Sequence, residues 1–470
     1  MDKKLIGILV FMLLILTVFP IQGLNTVEIT QEKKEFENHL FQNDAIIPPD
    51  IENVGKDRGP EPGYYDTSEY MVGKVAFGII FLESDGSIDP DLESWTAYEE
   101  NDAMTAMQFG NIQWRTWFLS YVPGYYNYLN FYAEVHKVNI GYEPIIHPSA
   151  ITDNTYEQLW VSEAMGKLGY TNGDWMKRVR DYNNYLRDTI ETLPGYYGTD
   201  WAFTVFLIDN SNDPDLLFSD GYHAYAYLGG PFIVCPYLRP GGPPGPMLKE
   251  VFTHELGHIF YATDEYDTNP EFSGYLNAQD IVGSGCIMDN LALGVSSGTQ
   301  LQVGWRDTDG DNRLDILDVE PDTTLVPYTP DPSPDTTPTY QGSATVVPYT
   351  NNNPHGPGND VTINFITGVE YRMDGGTWRS DVSPDDGQWD EAVETYTFTT
   401  QPLSIGNHVI EARAMDSSSN IDSTPASDTL GVKAKDKNKA NYNTPFLQFL
   451  EEHPNLFPIL QKIILRVGLH

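Results

Sequence analysis

The stretch Met247-Leu248-Lys249-Glu250-Val251-Phe252-Thr253-His254-Glu255-Leu256-Gly257-His258-Ile259-Phe260 decides how this chain is read. Its apolar residues recur at three- and four-residue intervals and Gly245-Pro246 stands just ahead, which predicts an amphipathic helix. On that helix His254 and His258 are four residues apart, so both imidazoles project from one face. Nitrogens so placed can each approach one Zn²⁺ to about 2.0–2.1 Å. Glu255, beside the first of them, can reach a water on the ion without binding the ion itself. Zinc lowers the pKa of such a water to about 7, and a carboxylate can take its proton as it attacks a carbonyl.

Zinc hydrolases use three protein ligands and keep one position for water. Downstream the chain reads Ile259-Phe260-Tyr261-Ala262-Thr263-Asp264-Glu265-Tyr266. If the helix ran on, Asp264 would lie about 240° round from His258, and Glu265 would share its face but sit about 10 Å along the axis. A break after Phe260 is therefore required. After such a break Asp264 is the better-placed oxygen, with Glu265 or a more distant residue as alternatives.

This pattern resembles the metzincin zinc peptidases, HExxHxxGxxH or the same with Asp last. It matches at His254, Glu255, His258 and Asp264 and departs at Tyr261, where the family has glycine. A non-glycine residue in a left-handed turn costs about 1–2 kcal/mol. The resemblance implies a secreted zinc metalloendopeptidase with Glu255 as general base. It implies an α/β (α+β) catalytic domain with a mixed sheet and an active-site helix. It also implies a methionine turn beneath the metal, a role that suits Gly285–Asn290 with Met288 as an apolar floor. The Asp-Glu-Tyr ending is similar to that of immunoglobulin-A-peptidase-like metallopeptidases. An extended protein or peptide substrate would lie along an edge strand, here Ala226–Gly229. His223 could hold a substrate or serve as an oxyanion donor but reads first as a surface strand histidine, and the same caution covers His136, His147 and Tyr266. The opposing view of the whole chain is a non-catalytic surface protein that keeps a protease-like body for adhesion.

Composition narrows the classes further. The chain has 67 acidic and 27 basic side chains over 470 residues, a net charge of −40, which excludes a general nucleic-acid binder. Met1–Gly23, with Lys3 and Lys4 ahead of an apolar run, reads as a secretory leader, or alternatively as a retained anchor. In an oxidising compartment Cys235 and Cys286 could pair, with about 4 kcal/mol of stabilisation in the chain-entropy account; two free buried thiols are the alternative. Leu24–Glu69 is polar and proline-punctuated, an arm or pro-segment, and 70–305 forms the catalytic body. Val75–Leu82, Phe131–Ile140, Ala202–Ile208 and Phe232–Val234 read as strands there, and Tyr98–Tyr121 and Asp174–Leu193 as helices.

A second motif follows the body. Asp307, Asp309, Asp311, Asp315 and Asp318 occupy positions 1, 3, 5, 9 and 12 of an EF-hand-like loop within 306–320, with the Arg313 carbonyl at position 7. Such oxygens suit Ca²⁺, and the loop resembles a single dockerin-type repeat; a solvated acidic linker is the alternative. Asn312 stands at position 6, where a left-handed backbone is needed. Residues 321–339, with six prolines, read as a stiff linker. Residues 340–432 alternate as in a β-sandwich, with strands at 361–366 and 408–414, and resemble bacterial immunoglobulin-like modules. The tail 433–470 is basic and amphipathic, fit for a membrane surface or cell envelope, or for docking on the protein's own body.

Overall fold

A computed structural model describes residues 44–51, 59–123, 129–238, 248–266 and 269–435. The expected leader, and the tail beyond residue 435, lie outside the described residues. In chain order the first body contains β1 (Ala45–Ile46), β2 (Gly73–Ser84), α1 (Ala97–Tyr121), β3 (Leu129–Ile140), α2 (Thr155–Lys167) and α3 (Trp175–Thr189). There follow β4 (Glu191–Leu193), β5 (Tyr196–Tyr197), β6 (Trp201–Ile208), β7 (Tyr225–Tyr227), β8 (Phe232–Pro236) and α4 (Leu248–Ile259). Two short strands, β9 (Phe272–Ser273) and β10 (Ala278–Gln279), and two short helices, α5 (Ile287–Asn290) and α6 (Ser297–Gln302), complete it.

A six-stranded sheet in the order β1-β7-β8-β6-β2-β3 is the frame. β2 pairs in parallel with β3 and β6, and β6 with β8, while β7 runs antiparallel to β8. The continuous apolar run of β2 has its cause in burial on both faces. Val75, Phe77, Ile79 and Phe81 join the core under α1 and α4, whereas Ala76, Ile80 and Leu82 join the core under α2 and α3. The mixed sheet and its helices bear out the α+β expectation. α1 starts on a capping box, Thr96 with Glu99, and α3 starts on Asp174, whose carboxylate accepts from the Lys177 N–H at 2.9 Å. α3 stops at Thr189, four residues short of the expected end, because Glu191–Leu193 turns into the β4–β5 hairpin.

The second body is a β-sandwich. β11 (Asp322–Leu325), β12 (Thr339–Thr345), β13 (Ile366–Met373), β14 (Ser383–Pro384), β15 (Val393–Thr399), β16 (Gly406–Asp416) and β17 (Ala426–Val432) form sheets β11-β12-β15-β14 and β13-β16-β17. Tyr340, Tyr396 and Phe398 of one sheet share a core with Tyr371, Ile410 and Leu430 of the other.

Two boundaries differ from expectation. Residues 321–339 are not a free linker: Asp322–Leu325 is the outer strand of a sheet, and Ser333 bridges to Val432. Prolines are tolerated at a sheet edge, which needs no donor there, so their density does not exclude strand. Residues 361–365 are not strand either. Val361 is buried in the core of the first body and Ile363 packs against it, so this segment joins the two bodies. The Tyr275 hydroxyl bridges the same seam, donating to Tyr349 O at 2.8 Å while Val361 N–H donates to it at 2.9 Å.

A candidate metal centre

Helix α4 carries the motif and is fixed from several sides. Phe252 packs toward Phe77 of the sheet, and Gly110 of α1 lets the two helices approach, since a Cβ there would stand 2.6 Å from the Phe252 ring. The Trp114 indole N–H donates to Thr253 O at 2.8 Å. These contacts leave His254 and His258 on the remaining face, both fully buried.

Each imidazole is oriented through its Nδ1. His254 Nδ1 lies 2.9 Å from Ile287 O, and His258 Nδ1 lies 2.7 Å from Ala262 O. Donation to those carbonyls assigns the proton to Nδ1 and leaves Nε2 with its lone pair free for a metal. The two Nε2 atoms are 3.0 Å apart. Asp264 Oδ1 stands 3.2 Å from one and 3.4 Å from the other. Asp44 Oδ1, from the arm, stands 3.1 Å from His258 Nε2 and 3.5 Å from His254 Nε2. Around a tetrahedral Zn²⁺ with bonds of about 2.0–2.1 Å, neighbouring ligand atoms stand about 3.3 Å apart. These five separations suit the edges of such a tetrahedron. Both Asp264 oxygens and Glu255 Oε2 are buried without a hydrogen-bond partner of acceptable geometry, so the donor set fits a cation.

The electrostatics agree. Burial alone would lower the pKa of His254, but the charge of Asp44 and hydrogen bonds to Asp264 and Asp44 raise it well above the usual value. In His258 burial is likewise outweighed, chiefly by the Asp264 carboxylate, and the pKa is pushed up to about 10. Asp44 is held below the usual carboxylate range, its burial outweighed by His254 and His258. Two carboxylates and two ring nitrogens thus face one another in a buried space, and a divalent cation would meet there the charge and donor types it needs. Glu255 differs: burial, and then the charge of Asp44, raise its carboxyl well above the usual range. A dication beside it favours its ionised form again.

The helix break lies where the ligand arithmetic requires it. α4 ends at Ile259, and Tyr261 takes φ +66. Tyr261 N–H donates to His258 O and Ala262 N–H to Gly257 O, each at 3.0 Å, the paired bonds of a Schellman ending. The ring offsets the strain of the left-handed backbone by burial between two glycines. A Cβ at Gly229 would fall 2.1 Å from Tyr261 Cζ, and one at Gly356 would fall 2.8 Å from its hydroxyl.

Glu265 does not face the centre. Its carboxylate accepts from Cys286 Sγ at 3.1 Å, from Thr299 Oγ1 at 2.9 Å and from Ser296 Oγ, and its N–H donates to Met288 O at 2.8 Å. It fastens the loop that carries Met288, and Met288 lies directly under α4, since a Cβ at Gly257 would stand 2.6 Å from its Sδ. Cys235 and Cys286 form no disulfide: both are free and buried, Cys235 within β8 and Cys286 at the start of α5, where its sulfur accepts from Met288 N–H. The pairing is corrected by the separate use of each thiol in packing and capping.

Two residues at the centre were missed in the sequence. Asp44 lies in the arm with no motif around it, and Tyr266, though part of the Asp-Glu-Tyr ending, shows its use only here, donating its hydroxyl to Asp44 Oδ1 at 3.1 Å. His223 is buried, not on a strand surface, with Nε2 2.9 Å from Leu238 O. His136 and His147 pair with Glu134 and Asp89, away from the centre.

In the acidic loop Asp307, Asp309 and Asp311 converge, and Asn312 takes the expected left-handed backbone at φ +68. Leu314 is buried, as that loop pattern demands. Asp315 is turned instead to Arg306 at 2.5 Å and Thr308 Oγ1 at 2.6 Å. The Arg313 guanidinium takes Asp311 and Asp318, the latter at 3.0 Å. The structure thus brings together three of the five expected carboxylates.

No protein-family model matches this chain, and no curated protein matches it. Among solved structures, similarity is found to the fibronectin(III)-like modules of Clostridium thermocellum CbhA, at 18% identity over 24% of this chain and 99% of that one, with TM-score 0.16. The sulfane dehydrogenase SoxCD of Paracoccus pantotrophus matches at 13% identity over 24% of this chain and 33% of that one, TM-score 0.16. Astrotactin-2, a vertebrate perforin-like membrane protein, matches at 16% identity over 28% of this chain and 24% of that one, TM-score 0.19. At these scores the likenesses do not amount to a shared fold.

Proposed function

We propose that this chain is a zinc-dependent endopeptidase acting on extended protein or peptide segments outside the cytosol. The observation that carries the reading is the spacing of His254 Nε2, His258 Nε2 and Asp264 Oδ1, 3.0–3.4 Å apart, beside the buried Glu255, whose Oε2 has no hydrogen-bond partner. Bound there, zinc supplies Lewis acidity, polarising a carbonyl and bringing the pKa of a water to about 7. Glu255 takes that water's proton and passes it to the leaving amine. Ile287 and Ala262 hold the two imidazoles in the ligating tautomer through their carbonyls. β7 is not the free edge expected at Ala226–Gly229, since β1 pairs along it; with β1 displaced it would offer backbone donors to an extended peptide, which favours strand addition with little side-chain selectivity. The Asp307–Asp309–Asp311 cluster is assigned to Ca²⁺ in a structural role.

One observation favours a second reading. With Asp44 as a fourth protein ligand the centre is closed, the form found in structural zinc sites, and the body would serve binding only. The test uses the zinc-loaded chain and its Asp44→Ala variant with casein as substrate. Cleavage is expected, lost with a chelator and lost at least 100-fold on Glu255→Gln while zinc stays stoichiometric. Stoichiometric zinc without cleavage by either chain would overturn the peptidase reading in favour of the closed site.

A further inference from the structure

Asp44 reaches the centre from 210 residues before His254, and the arm that carries it is tied at three points. At the first, Asp44 Oδ1 meets both imidazoles and the Tyr266 hydroxyl. At the second, β1 pairs in parallel with β7, Ala226 N–H donating to Asp44 O at 3.2 Å and Leu228 N–H to Ile46 O at 2.8 Å. At the third, Asp50 takes the fully buried guanidinium of Arg180 on α3, with Nη2 2.9 Å from Oδ1.

We infer, on the peptidase reading above, that this arm is a built-in inhibitor: Asp44 is the fourth ligand of the metal, and 44–46 occupies the groove along β7 where an extended substrate would lie. A tetrahedral ion with four protein ligands has no corner left for water, so Glu255 has no proton to accept. Asp44 presents a side-chain carboxylate to the metal, not a peptide carbonyl, and a carboxylate there ligates without being hydrolysed. Tethering places it near the ion at an effective concentration in the mM range, well above that of most free peptides. The hold is nevertheless reversible in design. β1 has only two residues and both are half-buried, as expected of a strap and not of a core strand. Once the arm leaves, the N–H groups of Ala226 and Leu228 become the donors that a substrate's carbonyls can use.

The inference is tested on the full chain, its Asp44→Ala variant and the near-isosteric Asp44→Asn variant, each loaded with Co²⁺ or Zn²⁺. Circular dichroism melts are to establish first that both variants fold. The readouts are metal content, the visible spectrum of the Co²⁺ form, affinity for acetohydroxamate and casein cleavage. Expected are one metal ion per chain throughout, and a Co²⁺ spectrum altered in both variants. Acetohydroxamate should bind the variants at least tenfold more tightly than wild type, and they should cleave casein at least tenfold faster. Equal probe affinity, spectra and rates in all three chains would overturn the inference while leaving the peptidase reading standing. Substoichiometric metal in both folded variants, with no gain in rate, would overturn it too and make Asp44 a permanent structural ligand. A tighter probe with no casein cleavage in any chain would uphold the blocked metal and defeat the peptidase reading alone.

Discussion

Asp264 and Glu265 are neighbours with the same functional group and opposite uses. Tyr261 breaks the helix in the left-handed region, and the chain then presents Asp264 to the imidazoles while Glu265 turns to hydroxyl and thiol donors behind them. Removing each should therefore fail differently. Asp264→Ala is expected to weaken zinc binding by roughly 100-fold or more, with little change in the stability of the metal-free chain. Glu265→Ala orphans three donors at the Met288 loop and is expected to cost on the order of 3 kcal/mol in denaturant unfolding. Zinc titration and urea melts of both variants check this, and the reverse pattern would refute the ligand assignment. The sequence narrowed the choice here because helix geometry excludes an oxygen on a continued helix. It could not show that Tyr261 is sheltered by Gly229 and Gly356, which lie in distant segments.

At the scale of elements, the position of β7 depends on a buried carboxylate of α2. Glu157 accepts from the Tyr225 hydroxyl at 2.8 Å and from that of Tyr227 at 2.6 Å, which pins β7 to the helix. Burial, only partly countered by those bonds, pushes its pKa up to about 8 from 4.5. A carboxyl with a raised pKa binds more protons folded than unfolded between those two values. Its contribution to stability therefore falls as pH rises through that window, by at most about 1.4 kcal/mol per pH unit. Melting temperature should decline from pH 5 to pH 8, and Glu157→Gln should flatten the decline; an unchanged slope would count against it. Helix α2 itself escaped the sequence reading. Its buried Trp160, Val161, Ala164 and Met165 form a patch, but the segment has no strong amphipathic contrast along its length, so periodicity carries little signal. β2 was legible for the converse reason, since a strand covered on both faces reads as an unbroken apolar run.

Across the whole molecule the two bodies are joined by polar as well as apolar contacts. Asn359 donates to Asp66 at 2.9 Å, and Arg313 of the acidic loop reaches Asn420 Oδ1 of the sandwich at 2.6 Å. Asn420 Nδ2 in turn donates to Leu317 O at 2.7 Å, so the loop sits where the bodies meet. Ca²⁺ at Asp307, Asp309 and Asp311 is accordingly expected to raise the melting temperature of the chain by several degrees, through preferential binding to the folded state. Asp307→Ala should abolish that response in calorimetry, and an undiminished shift would place the ion elsewhere. The sequence by itself determined the helix that carries His254, Glu255 and His258 and the common face of its two histidines, because a spacing of four residues turns directly into a shared face. It also marked the left-handed Asn312 and most of the central strands, which are likewise matters of local pattern. Only the tertiary structure decided that Asp44 stands against both imidazoles, that the prolines of 321–339 flank a strand, and that the two cysteines stay apart. Each of those depends on which distant segments the folded sheets bring within a few ångströms, and no short-range periodicity records that.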